Sequence, residues 1–257
     1  MVKLRVEVSQ DLKALAYHEL EALVELGGGN LELIDDTHDL IVNYDGDVNR
    51  LRSLLCRAAL IKRVWVVEQG NEHKLLELDR SRYRALRRGI EGGSLTIDLR
   101  IARLLVNLAR VKEGSTFLDP FVGSGTIAHE ALMLGAHVIG IDINYKLLHS
   151  MRDGYIDSVN SDSTLSPIRD GAVDSIATDP PYNRLSIIDR DLEMLYRELA
   201  NEAYRVLRVG GYVAFSHPTY VNALDLFLNL GFELVGSGLQ YVHGGLSRLI
   251  YVFKKPG

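Results

Sequence analysis

The sequence predicts an α/β protein: a doubly wound, mostly parallel sheet behind a small N-terminal α+β domain. Three observations predict it. From about residue 95, helical segments alternate with short apolar runs, the pattern of a parallel sheet covered on both faces. Before residue 70 the order is instead strand, helix, strand, strand, helix, strand. Between the two lies a polar, Arg-rich stretch, about 71 to 92, closed by Gly89, Gly92 and Gly93, which reads as a connection. The expected boundaries are 1–72 for the first domain, 73–92 for the linker and 93–257 for the second domain.

In the first domain, Leu4 to Val8 alternates like a strand. A helix follows from Asp11 to Leu26, with Leu12, Leu15, Ala16, Leu20 and Leu23 at helical spacing. Gly27, Gly28 and Gly29 stop it. Leu31 to Ile34 and Leu40 to Tyr44 are two short strands around a polar turn. Asp47 is placed to cap a helix carrying Val48, Leu51, Leu54 and Leu55. Arg63 to Val67 closes the set. This βαββαβ order is the ferredoxin-like motif, a scaffold with many uses.

In the second domain, Ile97 to Leu108 is helical. Thr116 to Leu118, His137 to Ile141, Val173 to Ala177 and Tyr212 to Phe215 are the apolar strands. Gly231 to Val235 and Leu249 to Phe253 have no helix between them and read as a hairpin finishing the sheet.

Bulk properties narrow the class. With 257 residues and 47% hydrophobic content, the chain can bury a core in each domain. The single Cys56 excludes a disulfide within the chain and a Cys-built zinc site, no metal site is expected, and a reducing cytoplasm is the natural compartment. No apolar run approaches the roughly 18 residues of a membrane helix, and the first residues lack a signal-peptide core. A net charge of −5 does not mark a nucleic-acid binder. Yet Arg80, Arg82, Arg84, Arg87 and Arg88 form a local basic stripe, either phosphate contacts or a solvated helix face.

Four motifs carry chemistry. Phe117-Leu118-Asp119-Pro120-Phe121-Val122-Gly123-Ser124-Gly125-Thr126 is a strand ending in Asp, a Gly-rich turn and a helix start. It is a plain β–α turn or a cradle for an anionic group such as a carboxylate. It has neither the full dinucleotide spacing nor the lysine of a phosphate loop. Val138-Ile139-Gly140-Ile141-Asp142 puts an acid at the next strand end, where it suits a ribose diol or caps the next helix as a surface residue. Asp162 lies where a third strand should end, as a solvated loop acid or an acceptor for an adenine amino group. Asp179-Pro180-Pro181-Tyr182 directly follows Val173 to Ala177. Its prolines fix an extended turn. There the Asp179 carboxylate and the Pro180 carbonyl can each accept one N–H of a planar exocyclic amine. The nitrogen is drawn toward tetrahedral geometry, its lone pair facing an electrophile such as a sulfonium methyl, and Tyr182 can stack on the ring.

With these motifs in order, residues from about 92 to 257 resemble a class I amino-methylating methyltransferase. More narrowly they are similar to the archaeal and eukaryotic tRNA guanine-10 N2-methyltransferases. Ser94-Leu95-Thr96 with the helix Ile101 to Leu108, the Asp119 loop, the tail Tyr241-Val242-His243-Gly244-Gly245-Leu246-Ser247-Arg248 and the βαββαβ segment carry the resemblance. It implies a seven-stranded Rossmann-like sheet and S-adenosylmethionine as cofactor. It implies that Thr96, Asp119, Pro120, Phe121, Gly123, Gly125 and Thr126 hold the methionine part, Asp142 the ribose and Asp162 the adenine, with Ile143 a further cofactor contact. Asp179, Pro180, Pro181 and Tyr182 become the catalytic turn. Asn183, Arg184, His243, Arg248, Arg84, Arg87 and Arg88 fall to the RNA side, although His243 also reads as a satisfied loop histidine.

Two departures stand out. The stretch from 71 to 92 is too short for the family's RNA-binding THUMP domain, and Asn183 stands where a Gly is common. Either the substrate differs, or a small activator or RNA-binding partner protein supplies the grip, or the Arg80 to Arg88 stretch does. Two other functions share parts of the pattern: a DNA adenine-N6 or cytosine-N4 methyltransferase, and a catalytically idle RNA-binding subunit.

Overall fold

A computed structural model of the protein describes residues 1–79, 81, 97–151, 154–181, 192–243 and 246–257, without the side chains of Ser150, Val242, His243 and Leu246. Contacts divide the chain into two compact units, Met1–Asn107 and Leu108–Gly257.

The first unit is a five-stranded sheet with helices. Its elements are β1 (Val2–Val8), α1 (Lys13–Leu26), β2 (Asn30–Asp35), β3 (Leu40–Asp45), α2 (Val48–Leu55), β4 (Ile61–Glu68), β5 (Asn71–Glu77) and α3 (Leu99–Leu108). The strand order is β2-β3-β1-β4-β5, and every neighbouring pair is antiparallel. Along β1, Leu4, Val6 and Val8 are buried and alternate with more exposed residues, as a sheet with one covered face requires. The expected caps are present. Asp47 Oδ1 accepts from the backbone N–H groups of Asn49 and Arg50 at 2.8 and 3.3 Å, and Gly28 takes φ +72° past the end of α1.

Two sequence expectations need correction. The stretch expected to be linker begins with β5, which pairs with β4 from Arg63↔Glu77 to Glu68↔Asn71. Its polar residues suit an edge strand, so they carry no apolar periodicity. The helix expected to head the second domain groups with the first unit. The reason is a buried network: the Glu19 carboxylate accepts from the N–H groups of Ala59 and Leu60 at 2.7 and 2.8 Å and from Asn107 Nδ2 at 2.7 Å. Arg57 Nε in turn donates to Asn107 Oδ1 at 2.7 Å. A buried carboxylate without these donors would be costly, so the network ties α3 to α1 and to the start of β4.

The second unit is a seven-stranded sheet in the order β11-β12-β10-β9-β6-β7-β8. Its strands are β6 (Thr116–Asp119), β7 (His137–Asp142), β8 (Ile156–Asn160), β9 (Val173–Thr178), β10 (Leu207–Pro218), β11 (Glu233–His243) and β12 (Leu246–Lys254). Its helices are α4 (Thr126–Leu132), α5 (Tyr145–Ser150), α6 (Leu192–Val206) and α7 (Ala223–Leu228). Strands β8, β7, β6, β9 and β10 run parallel. The β11–β12 hairpin is antiparallel, with β12 inserted beside β10. This is the mixed α/β, Rossmann-like architecture expected, and the hairpin is longer at both strands than the apolar runs suggested. An aromatic core locks the β10 side: Phe227 stacks on Phe215 and on Phe253 with ring centroids 4.8 Å apart in both pairs.

Candidate active site

Because β6, β7, β8 and β9 are parallel, their last residues share one edge of the sheet. Asp119 ends β6, Asp142 ends β7, Asp162 lies two residues past β8, and Asp179 directly follows β9. The chain leaves β6 toward β7 on one side, while β9 lies on the other. Such a switch point opens a crevice at the carboxyl ends of the strands.

The Gly-rich loop is held by its neighbours. Val122 N–H donates to the Ile141 carbonyl at 2.9 Å, and Gly123 N–H to Asp142 Oδ2 at 2.9 Å. Gly123 and Gly125 have φ of +50° and +83°, a region closed to most side chains. A Cβ on Gly125 would lie 2.5 Å from the Met151 sulfur, whereas one on Gly123 would meet nothing nearer than the Phe121 carbonyl at 3.9 Å. The face of the loop at Gly123 is therefore an open cradle. Pro120 is buried, Phe121 and Thr126 half-buried.

Asp142 organises the next turn. Its Oδ1 accepts from Asn144 N–H at 2.7 Å, and among the described residues each oxygen keeps a lone pair for a hydroxyl. Asn160, at the end of β8, donates through Nδ2 to the carbonyls of Asp142 and Ile143 at 2.9 and 3.0 Å. Ile143 itself is 75% exposed, an apolar side chain beside the carboxylates. Asp162 Oδ1 accepts from the N–H and hydroxyl of Thr164 at 3.0 and 2.8 Å and so caps a short helical turn.

Asp119 is 1% exposed. Its Oδ1 accepts from the Thr178 hydroxyl at 2.8 Å and from Phe121 N–H at 3.3 Å. Burial pushes its carboxyl up to about 7, with the carboxylates of Asp179 and Asp142 adding to the rise and the two donors opposing it. Asp179 is half-buried, and Pro180 behind it is buried. Ser216 on β10 donates its hydroxyl to Asp179 Oδ1, and Arg248 on β12 reaches Asp179 Oδ2 at 3.5 Å. Burial raises the Asp179 carboxyl, while Arg248 and Ser216 pull it back.

Of the residues singled out in the sequence, the structure gathers Asp119, Pro120, Phe121, Gly123, Gly125, Thr126, Asp142, Ile143, Asp162, Asp179, Pro180 and Pro181 along this edge. Arg248, expected on the RNA side, is instead 8% exposed and paired with Asp179. Thr96, Arg84, Arg87, Arg88, Tyr182, Asn183 and Arg184 lie outside the described residues, as does the side chain of His243. Sequence reasoning missed Thr178, Ser216 and Asn160. The first two are polar residues directly after apolar strand runs, and that position was the available signal.

The UPF0020 family, described as RMKL-like, methyltransferase domain, matches residues 87–154 and 146–246, more than half of the chain. The chain belongs to this methyltransferase family. It is 31% identical over 164 residues to the tRNA (guanine(10)-N2)-dimethyltransferase of Pyrococcus abyssi, covering 60% of this chain and 49% of that protein. It is 33% identical over 170 residues to a protein of Methanothermococcus thermolithotrophicus named probable tRNA (guanine(10)-N2)-dimethyltransferase, covering 61% of this chain and 98% of that one. Beyond such a match, the chain spans about half the length of the first curated relatives it resembles. Among solved structures, TrmN from Thermus thermophilus shares the fold, with a TM-score of 0.56 and 19% identity over 99% of this chain and 100% of that one. The cofactor of this family and fold is S-adenosylmethionine. The site suits it: an open glycine cradle, and carboxylates at four neighbouring strand ends to face a cation that carries ribose hydroxyls.

Proposed function

We propose that this methyltransferase modifies an exocyclic amino group of a nucleic-acid base, guanine N2 at position 10 of tRNA. The observation that carries the reading is the Asp179-Pro180-Pro181 turn at the end of β9, beside Asp119 on β6. The names of the relatives support the substrate. When bound, S-adenosylmethionine supplies an electrophilic methyl group on a sulfonium. The Gly123 cradle and Asp119 would hold its amino-acid end, Asp142 would accept from its ribose hydroxyls and Asp162 would meet the adenine, with Ile143 beside them. Asp179 and the Pro180 carbonyl accept the two N–H bonds of the target amine, and Tyr182 stacks on the base. Methylation leaves the nitrogen with a proton to lose, and the Asp179 carboxylate would receive it.

On this reading the first unit is a ferredoxin-like accessory domain. The RNA is gripped by the Arg80 to Arg88 stretch or by a partner protein, in place of a THUMP domain. A reducing cytoplasm suits the single exposed thiol, Cys56. The test is to incubate the protein with labelled S-adenosylmethionine and unmodified tRNA transcripts, beside Asp179→Ala. N2-methylated guanosine at position 10, made by the wild type alone, is the expected product. Methylation of duplex DNA with tRNA left unmodified would overturn the substrate assignment.

A further inference from the structure

Asp179 is held by two strands that lie far along the sequence. Thr178 pairs with Phe215 in the β9–β10 ladder, and Pro218 pairs with Arg248 in the β10–β12 ladder. This register brings Ser216 and Arg248 onto the two oxygens of one carboxylate, Oδ1 and Oδ2 respectively. The side chains of Arg248 and Asp179 are only 10% and 14% exposed, so their attraction is little screened. A surface-facing phosphate contact would need the guanidinium in solvent.

We propose that Arg248 and Ser216 are positioning residues for methyl transfer: they keep Asp179 an ionised carboxylate and fix the direction of its free lone pairs. The proposal rests on the reading of Asp179 as the amine acceptor. A protonated carboxyl would present a hydroxyl to the target amine and could not take its N–H or its proton. The groups facing Asp179 divide by sign. Burial opposes ionisation of Asp179, while the Arg248 cation on β12 and the Ser216 hydroxyl on β10 favour it; the neighbouring Asp119 carboxyl on β6 is itself raised by the Asp179 charge. With one donor among the described residues on each oxygen, each keeps a lone pair on that count, and these are the ones an incoming amine can use.

The test is a titration of the whole chain labelled with ¹³C at the aspartate carboxyl carbons, the Asp179 signal being assigned from its loss in Asp179→Asn. Removing a cation at this range raises a carboxylate midpoint by about one pH unit or more. Arg248→Gln is therefore expected to raise the Asp179 midpoint that far, Arg248→Lys to hold it near the wild-type value, and Ser216→Ala to raise it by less. An unchanged midpoint in Arg248→Gln overturns the proposal. Should that variant fail to fold, an unchanged midpoint in Ser216→Ala does so. In transfer assays on tRNA, the acid limb of the kcat profile should move up with the midpoint, a roughly tenfold loss of rate on the acid side per pH unit. The KM for tRNA should stay unchanged. A raised KM with an unmoved acid limb would make Arg248 a phosphate contact and also overturn the proposal. Full transfer by Asp179→Asn would instead refute the catalytic reading of Asp179, and the titration would still decide the clamp.

Discussion

Replacing Asp119 by Asn removes a buried charge without removing an acceptor. Asn Oδ1 can still take the Thr178 hydroxyl and Phe121 N–H that now donate to the carboxylate. In the folded protein Asp119 keeps its proton up to about pH 7, whereas an unfolded chain sheds it near ~3.9. Between those values the folded state carries more protons than the unfolded one, so this residue makes stability fall as pH rises. Each pH unit of separation is worth about 1.4 kcal/mol, which sums to ~4 kcal/mol at pH 8. Asp119→Asn should thus be more stable than wild type by up to ~4 kcal/mol at pH 8, and the gain should vanish near pH 4. Urea denaturation across that pH range, without cofactor, measures it. Parallel curves for the two proteins would refute the reasoning. If Asp119 holds the amino-acid end of S-adenosylmethionine as proposed, the same variant should bind the cofactor more weakly at a pH where the wild-type carboxyl is ionised.

Three other outcomes follow from the structure. A Cβ on Gly140 would lie 2.8 Å from Val122 Cγ2, so Gly140→Ala should cost ~1–3 kcal/mol in thermal denaturation and loosen the cofactor loop; an unchanged Tm would show that the loop yields freely. Glu19→Ala leaves the N–H groups of Ala59 and Leu60 and the Asn107 amide without their buried acceptor. It should cost about 3–5 kcal/mol by denaturant titration, and a loss below ~1 kcal/mol would refute the network's role. His217 is pushed down to about 4 by burial, with its Nδ1 2.9 Å from the Pro218 carbonyl. Since the unfolded imidazole takes up protons near ~6.5, acidification between those values costs the folded state roughly 3 kcal/mol. His217→Phe should flatten that acid-side loss, and an unchanged slope would exclude His217 as its source.

What was legible in the sequence was local. Asp119, Asp142 and Asp179 each directly end or follow an apolar strand run, so their shared edge could be read from the alternation of strands and helices. The Gly-rich turn was legible because positive φ restricts residue choice at Gly123 and Gly125. Strand β5 was not legible, since an edge strand with polar faces has no periodicity to read. The allegiance of α3 depends on Asn107 reaching Glu19, 88 positions away, and no local pattern encodes such a contact. Arg248 was expected on the RNA side for the same reason: only the β10–β12 register brings it to Asp179.

The insertion of β12 between β10 and β11 also has a consequence for biosynthesis. Asp179 emerges from the ribosome well before Arg248, 69 positions later. With residues appearing at about 5–20 per second, the Asp179 carboxylate spends several seconds without its cation. Strands β6 to β9 can pair during that interval, but β12 must then enter beside β10, where its apolar residues bury the aromatic core. On the proposed role of Asp179, the site is thus completed only by a strand made well after β9, and a nascent chain stalled before β12 would carry Asp119, Asp142 and Asp179 without the Arg248 contact.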